Sequence, residues 1–412
     1  MNTQKLFHKD FTIMVLGQII SLFGNSILRF TLSLYILDTT GSAAVFGSIL
    51  AVSMIPTVLL SPFGGVLADR VNRRNIMVVL DYCTSFIIFL FALLFFNSSS
   101  PVIAVGLVMV LLSVIQACYQ PSVQSSIPVL VSQDNLMKAN GIVIQVNALS
   151  NLLGPILAGI LYSFVPLRLN LIISCICFFF SATMELFLHI PFFPQEKTGG
   201  LVSMVKKDLG EAFHFLRRER PDMMRVLVVI ACINLFLSAM IIVGLPVIIK
   251  IYLGLSTQHY SFADAAVALG TILGSCLTSI FPEKIHFKTS YRFLLGSSIA
   301  LLPMGLAVVT NRSPGLSYGI LMVFLILALS SAAVFNVAAQ TYAQQQTPIQ
   351  YLGKVGSFIT VICVCALPLG QAMYGGLFQL FQNSVSIVIF FACLISIFIS
   401  LYTKKTLKAL RE

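Results

Sequence analysis

The stretch GGVLADRVNRRN, residues 64–75, sets one acid, Asp69, and three arginines, Arg70, Arg73 and Arg74, between two long apolar runs. An ordinary surface turn would explain such a cluster. So would a latch at the mouth of a path through a membrane, and the surrounding chain decides between them. Of the 412 residues, 58% are hydrophobic and 9% charged, whereas soluble domains carry roughly 25% charged residues. No water-soluble fold hides that much apolar surface, so lipid is the solvent for most of the chain. Apolar runs lie near 11–36, 44–67, 76–96, 102–124, 139–162 and 167–190, then near 225–250, 260–281, 291–310, 316–341, 354–379 and 384–402. Runs of this length span a bilayer as helices. Barrel strands are about half as long, and hydrocarbon admits no third solution for the backbone amides.

The formal charge of +11 raises the question of nucleic acid, and its distribution answers it. With the N-terminus inside, 21 of the 25 lysines and arginines fall in cytoplasmic segments, three in outer loops, and Arg29 within a span. That asymmetry is topological. It implies an even number of spans with both termini cytoplasmic, and it leaves no basic patch for nucleic acid. The first run is too long for a signal h-region and has no small-residue cleavage site, so it reads as a retained span. The nine cysteines all lie in apolar runs, with no histidine or acid at metal-ligand spacing, and read as packing residues rather than a metal site. There is no tryptophan, which leaves interfacial anchoring to tyrosine, lysine and arginine. A Walker loop, HExxH, GxSxG and a paired-carboxylate site are all missing from the sequence, so neither an enzyme nor an ATP-driven pump is implied.

The chain repeats itself. Shifted by 216 residues, Gln124 falls on Gln340, Leu136 on Leu352, Lys138 on Lys354, Gly154 on Gly370 and Gly159 on Gly375. The expectation is an all-α integral membrane protein of twelve helices in two pseudo-symmetric six-helix bundles, residues 1–194 and 225–412. A linker, 195–224, joins them. In the linker Val202, Val205, Leu209, Ala212, Phe213 and Leu216 recur at three and four residues, the mark of an amphipathic helix on the inner leaflet or under the bundle. Repeated membrane halves point to a transporter with its site between them.

In that context the opening stretch resembles the signature loop of the major facilitator superfamily, G-x-L-A-D-R-x-G-R-K. Here it reads Gly65 to Arg74, with Asn72 in place of the second glycine, a residue that also tolerates a left-handed turn. The resemblance covers the whole chain. The corresponding second-half loop, Phe281 to Lys284, is degenerate. The family's loop latches the inner gate, which implies that role for Gly65, Asp69, Arg70, Arg73 and Arg74, with Asp81 placed to hold Arg70 or Arg73. From Gly141, GIVIQVNALSNLLGPILAG resembles the family's antiporter motif through Gly141, Gly154, Pro155 and Gly159, with Ser150 standing in for a glycine. That motif implies an exporter. The stretch from Gly17 to Ala43 is most similar to the macrolide-efflux-type group, whose members are drug:proton antiporters.

Solute and coupling candidates are the polar residues within spans. Arg29 is costly in a span and either faces the cavity or snorkels. Gln18, Asn25 and Arg29 share a face of the first span. Gln116 and Gln120 recur every four residues in the fourth, and Asn336 and Gln340 in the tenth. Asn147 in the fifth span and Asn234 in the seventh complete the amides, which line a wet cavity or bond helix to helix. Glu185, four residues before His189, and Asp264 are acids able to take a proton. The fourth span lacks the arginine that many proton-coupled relatives carry there. The leading reading is a monomeric exporter of amphiphilic, drug- or macrolide-like small molecules in the cell membrane, with protons as the coupling ion and no cofactor. Export of an endogenous metabolite, siderophore or lipid, and a scaffold or sensor without flux, are the competing readings. Under the latch reading, Asp69→Asn abolishes transport while membrane insertion, read by surface labelling, is unchanged; normal transport by that variant removes the latch.

Overall fold

The computed structural model describes residues 7–94, 101–191, 201–281, 285–310, 313–347 and 352–408. They form helices joined by short turns, and no strand occurs among them. The first six helices are α1 (Lys9–Thr40), α2 (Ala43–Arg70), α3 (Arg73–Leu94), α4 (Pro101–Leu130), α5 (Gln133–Phe164) and α6 (Leu167–Glu185). A shorter α7 (Leu201–His214) comes next, ending in a π-helical turn, Phe215–Glu219. The seventh expected span is a continuous helical stretch, α8 (Pro221–Ile233), a π turn at Asn234–Ser238, α9 (Ala239–Pro246) and a second π turn at Val247–Tyr252. Then come α10 (Thr257–Ile280), α11 (Tyr291–Ile299), α12 (Leu301–Thr310), α13 (Pro314–Gln346), α14 (Leu352–Leu380) and α15 (Val385–Lys408).

Among the described residues, eleven helical stretches are long and apolar enough to cross a membrane. The remaining expected run, 354–379, lies on the 29-residue α14. The ninth expected span is divided, α11 from α12, at Ala300. Pro303 explains the break, since it offers no N–H to the carbonyl of Ile299 four residues back.

The chain forms two compact units, one of residues 1–39 and 52–205, the other of 40–51 and 206–412. In the first, α3 packs along α6 and against α4. In the second, α13 packs on α10, α11 and α12, and α15 on α11 and α12. Residues 40–51, which include the start of α2, belong to the second unit, where the Ser42 hydroxyl donates to Gln379 Oε1 at 2.9 Å.

Close approach in both units depends on glycines that the repeat had matched. A Cβ on Gly154 of α5 would strike the Ser26 side chain of α1. A Cβ on Gly370 of α14 would strike the Leu235 carbonyl and the Ala239 methyl, at the π turn between α8 and α9. The fifth and eleventh spans thus meet the first and seventh through equivalent glycines. Such contacts bind helices through van der Waals packing where no hydrophobic drive separates helix from lipid.

The linker helix resolves between its two expected placements. Ala212, Phe215 and Leu216 are buried with Met223, Leu227 and Val355, and Phe358 and Ile359 pack on the same cluster, so this end of the linker docks under the second unit. Phe213, expected on the buried face, is 43% exposed, with the Arg217 guanidinium 5.7 Å from its ring centroid. The reason is phase: Ala212, Phe215 and Leu216 fall at i, i+3 and i+4, and Phe213 lies about 100° away from Ala212. The side chains of Val202 and Val205 lie outside the described residues.

Gly154→Leu forces α5 off α1 and is expected to cost about 1–3 kcal/mol, the usual range for overpacking. Thermal unfolding of the purified protein in detergent reads it, with Gly210→Leu as the control because nothing lies within 4 Å of a Cβ there.

Candidate functional site

At the loop between α2 and α3, Asn72 acts as a helix cap. Its carbonyl accepts from Ile76 N–H at 3.2 Å, and its Oδ1 accepts from Arg74 N–H at 3.1 Å. An asparagine in the glycine position thus also caps α3, a role glycine's missing side chain could not fill. Arg73 Nε donates to the Ala68 carbonyl at 3.1 Å, and Arg74 Nη2 donates to the Leu186 carbonyl just past α6. Both arginines therefore serve as clamps on helix ends, where carbonyls lack intrahelical donors. The side chains of Asp69 and Arg70, and Gly65 and Gly141 beyond their helical backbone, lie outside the described residues.

Asp81 lies away from the loop surface, and the Arg70 side chain it was expected to hold is outside the described residues. The acid sits two turns into α3 on the buried face, with Ile76, Met77, Thr84, Ser85 and Ile88, and is 2% exposed. Its Oδ2 accepts from the Ser21 hydroxyl of α1 at 2.5 Å. Among the described residues it takes no arginine, because the three- and four-residue spacing of that face turns it inward, away from the loop.

A second acid stands beside it. Glu185, the last residue of α6, is fully buried, and its Oε1 accepts from the Tyr119 hydroxyl of α4 at 2.8 Å. Ser181, one turn earlier, lies 2.9 Å from Ser21 Oγ and donates to the Gly17 carbonyl at 3.1 Å. Gly17 faces the same group: a Cβ there would lie in ordinary van der Waals contact, 3.4 Å from Glu185 Cγ and Oε1 and 3.6 Å from Ser181 Oγ. Four helices, α1, α3, α4 and α6, so converge on two carboxyls and three hydroxyls. Glu185 and His189, four apart in sequence, do not share a helix face. The α6 helix ends at Glu185, and His189 N–H instead donates to Asp10 Oδ1 at 3.0 Å.

Asp81 opens onto a small pocket inside the first unit. Its polar lining includes Asn25, Gln116, Gln120 and Thr84, and its apolar lining Leu22, Leu112, Ile115 and Phe178. Asp81 is the one charged residue of that lining among the described residues. One turn beyond Asn25, Arg29 donates from Nε to Asn25 Oδ1 and from Nη2 to Ser113 Oγ, both at 3.1 Å. Gln18 is fully buried and its amide has no partner among the described residues.

The structure therefore gathers Asn25, Gln116 and Gln120 around the Asp81 pocket, joins Arg29 to them through Asn25, and links Glu185 to them through Tyr119. Asn147 does not join them; its amide donates to the Val143 carbonyl of its own helix at 2.8 Å. In the antiporter-like stretch Gly154 and Pro155 are buried, as are Ser150 and Gly159. In the second unit Asn234 accepts from Ser238 within the π turn at 3.3 Å, Asp264 is partly buried on α10, and Asn336 and Gln340 are exposed. Sequence reasoning missed Tyr119, Ser21 and Ser181. The available signal was a stripe of small and hydroxyl residues, Gly17, Ser21 and Gly24 on α1 facing Ser174, Ser181 and Glu185 on α6.

Comparison with known proteins settles the family. The family model described as Major Facilitator Superfamily matches residues 14–372. The chain is 24% identical over 361 residues to a protein named Macrolide efflux protein A from Streptococcus pyogenes, covering 86% of this chain and 85% of that one. A protein of the same name from Enterococcus faecalis is 23% identical over 337 residues, covering 80% and 99%. In fold, the chain is similar to the nucleoside transporter NupG, with a TM-score of 0.75 at 14% identity, over 97% of this chain and 100% of that one. A bacterial homologue of the iron transporter ferroportin gives 0.72 at 16% identity, over 96% and 100%. A likeness at that identity concerns the fold alone. The chain belongs to the major facilitator superfamily, and is a multi-pass membrane transporter, not an enzyme, with distant homology to macrolide efflux proteins.

Proposed function

We propose that the protein exports amphiphilic small molecules, macrolide-like drugs among them, across the cell membrane in exchange for protons. The observation that carries this reading is the pair Asp81 and Glu185. Both acids are buried within the first unit, bonded to hydroxyls, and without a cationic partner among the described residues. A carboxyl inside a membrane protein is expensive and marks an ion or proton path. Asp81 faces the pocket and Glu185 lies behind it, so a proton enters and leaves by way of the space a solute head group would occupy. The apolar side chains and amides around this small pocket are of the kind that a lipophilic solute with hydrogen-bonding groups would contact once the helices part. The relatives named for macrolide efflux and the small-residue stretch from Gly141 to Gly159 support export as the direction. The excess of lysine and arginine in alternate loops supports cytoplasmic termini. The protein works as a monomer, and the proton gradient is its energy source in place of a cofactor.

Everted vesicles carrying the protein, acid inside, test the reading with labelled erythromycin and an internal pH dye. Uphill uptake with loss of internal protons is expected, abolished when the pH gradient is collapsed. Asp81→Asn and Glu185→Gln are each expected to lose uphill uptake but to keep exchange of labelled for unlabelled solute, which needs no proton. Uphill uptake persisting in the double variant removes both acids from coupling, and a wild-type protein that moves no solute with the gradient removes antiport.

A further inference from the structure

Arg29 is the charge that proton exchange leaves unused. It lies eleven residues before the end of α1 at Thr40, which is about 16 Å of helix. Helical side chains lean toward the N-terminus of their helix, and the bond from Nε to Asn25, four residues earlier, shows that Arg29 does so. It therefore does not snorkel outward to the Thr40 end. Its guanidinium turns back toward the pocket wall that Asn25 forms.

Its partners are neutral. Asn25 Oδ1 and Ser113 Oγ take two of the five N–H groups a guanidinium offers. Ser113 is itself held in place, its carbonyl accepting from the Thr57 hydroxyl of α2 at 3.2 Å. The described acids of this unit are engaged elsewhere: Asp10 with His189, Asp38 with Tyr162, Asp81 with Ser21 and Glu185 with Tyr119. A cation within a span, fixed along one edge and lacking a counter-charge, is a poor stabilising device, because its desolvation is uncompensated. Its free edge has the fork geometry that matches a carboxylate.

We propose that Arg29 is an anion-binding subsite beside the Asp81 pocket, and that it takes a carboxylate of the transported solute. The inference rests on the export reading for a transported amphiphile and narrows it to solutes that carry a carboxylate, which erythromycin lacks; geometry alone carries the anion. Ser21, which holds Asp81, and Arg29 are eight residues apart on α1, about 12 Å along the helix. The two sites therefore address different ends of one molecule: a hydrogen-bonding head at Asp81 and an acidic group at Arg29.

Binding to the full-length protein in lipid nanodiscs, without any gradient, tests this separately from proton coupling. The probes are salicylate, its neutral counterpart salicylamide, and chloride, each read as a rise in melting temperature against concentration. Salicylate is expected to stabilise the wild-type protein and salicylamide is not. Arg29→Gln is expected to weaken the salicylate effect about tenfold or more, and Arg29→Lys, which keeps the charge and loses the fork, severalfold. The lysine variant keeps the test decisive where the glutamine variant does not fold. Equal stabilisation of wild type and variants by salicylate, or no response of the wild type to either anion, overturns the site. An Arg29-dependent response to chloride that also displaces salicylate keeps the site and overturns its assignment to the solute. Loss of uphill uptake in the vesicle assay together with intact salicylate binding would separate a failure of the antiport reading from this one.

Discussion

A peptide group that enters hydrocarbon must find its hydrogen-bond partner in its own helix, and nearly everything about this protein descends from that requirement. It excludes every element but the helix from the twelve apolar runs. It also removes the usual reason for helices to associate, since lipid is as apolar as leucine. What remains is close packing, and the chain supplies glycines where backbones or small side chains meet: Gly154 against Ser26, and Gly370 against Leu235 and Ala239. Pro303 deprives the Ile299 carbonyl of its donor where α11 and α12 divide, whereas α4, α5 and α14 run on through their prolines.

Within such a bundle, each polar side chain costs free energy unless another satisfies it. The first unit concentrates that cost. Asp81, Glu185, Tyr119, Ser21 and Ser181 form one cluster drawn from four helices, and the Gly17 carbonyl accepts from Ser181 within it. Arg29 lies on the same side of α1 but takes no acid among the described residues. A bundle built for stability alone would bring the arginine and an acid together, or replace both with apolar residues. Keeping them apart is what the proposed separation of a proton site from an anion site requires.

The two halves are matched in packing more than in chemistry. The glycine contacts recur, whereas the buried acid pair belongs to the first unit and the π turns to the seventh span. A π turn widens the helix by one residue and rotates the turns beyond it. At Asn234–Ser238 it coincides with the approach of Gly370, so a shared style of contact is met with a different local backbone. The linker likewise gains its position from phase: three residues at i, i+3 and i+4 anchor it, and the neighbouring Phe213 is left outside.

Most of the architecture was readable without coordinates. Hydropathy summed over twenty residues reports the solvent of a segment whatever it packs against, and the excess of lysine and arginine in alternate loops and the 216-residue repeat are likewise properties of the chain alone. The signature loop and the glycine-rich stretch carried the family for the same reason. The site was only half readable. Amide stripes on α1 and α4 were readable because helical period alone decides which residues share a face, and Asn25, Gln116 and Gln120 of those stripes line one pocket, while Gln18 and Arg29 do not. That period cannot say which face of another helix lies opposite. It did not show that α3 turns Asp81 onto Ser21, or that Tyr119 arrives from α4 to meet Glu185 at the end of α6. Those pairings join residues 60 and 66 positions apart, and their existence depends on how helices rotate and cross when they pack, which no local pattern encodes.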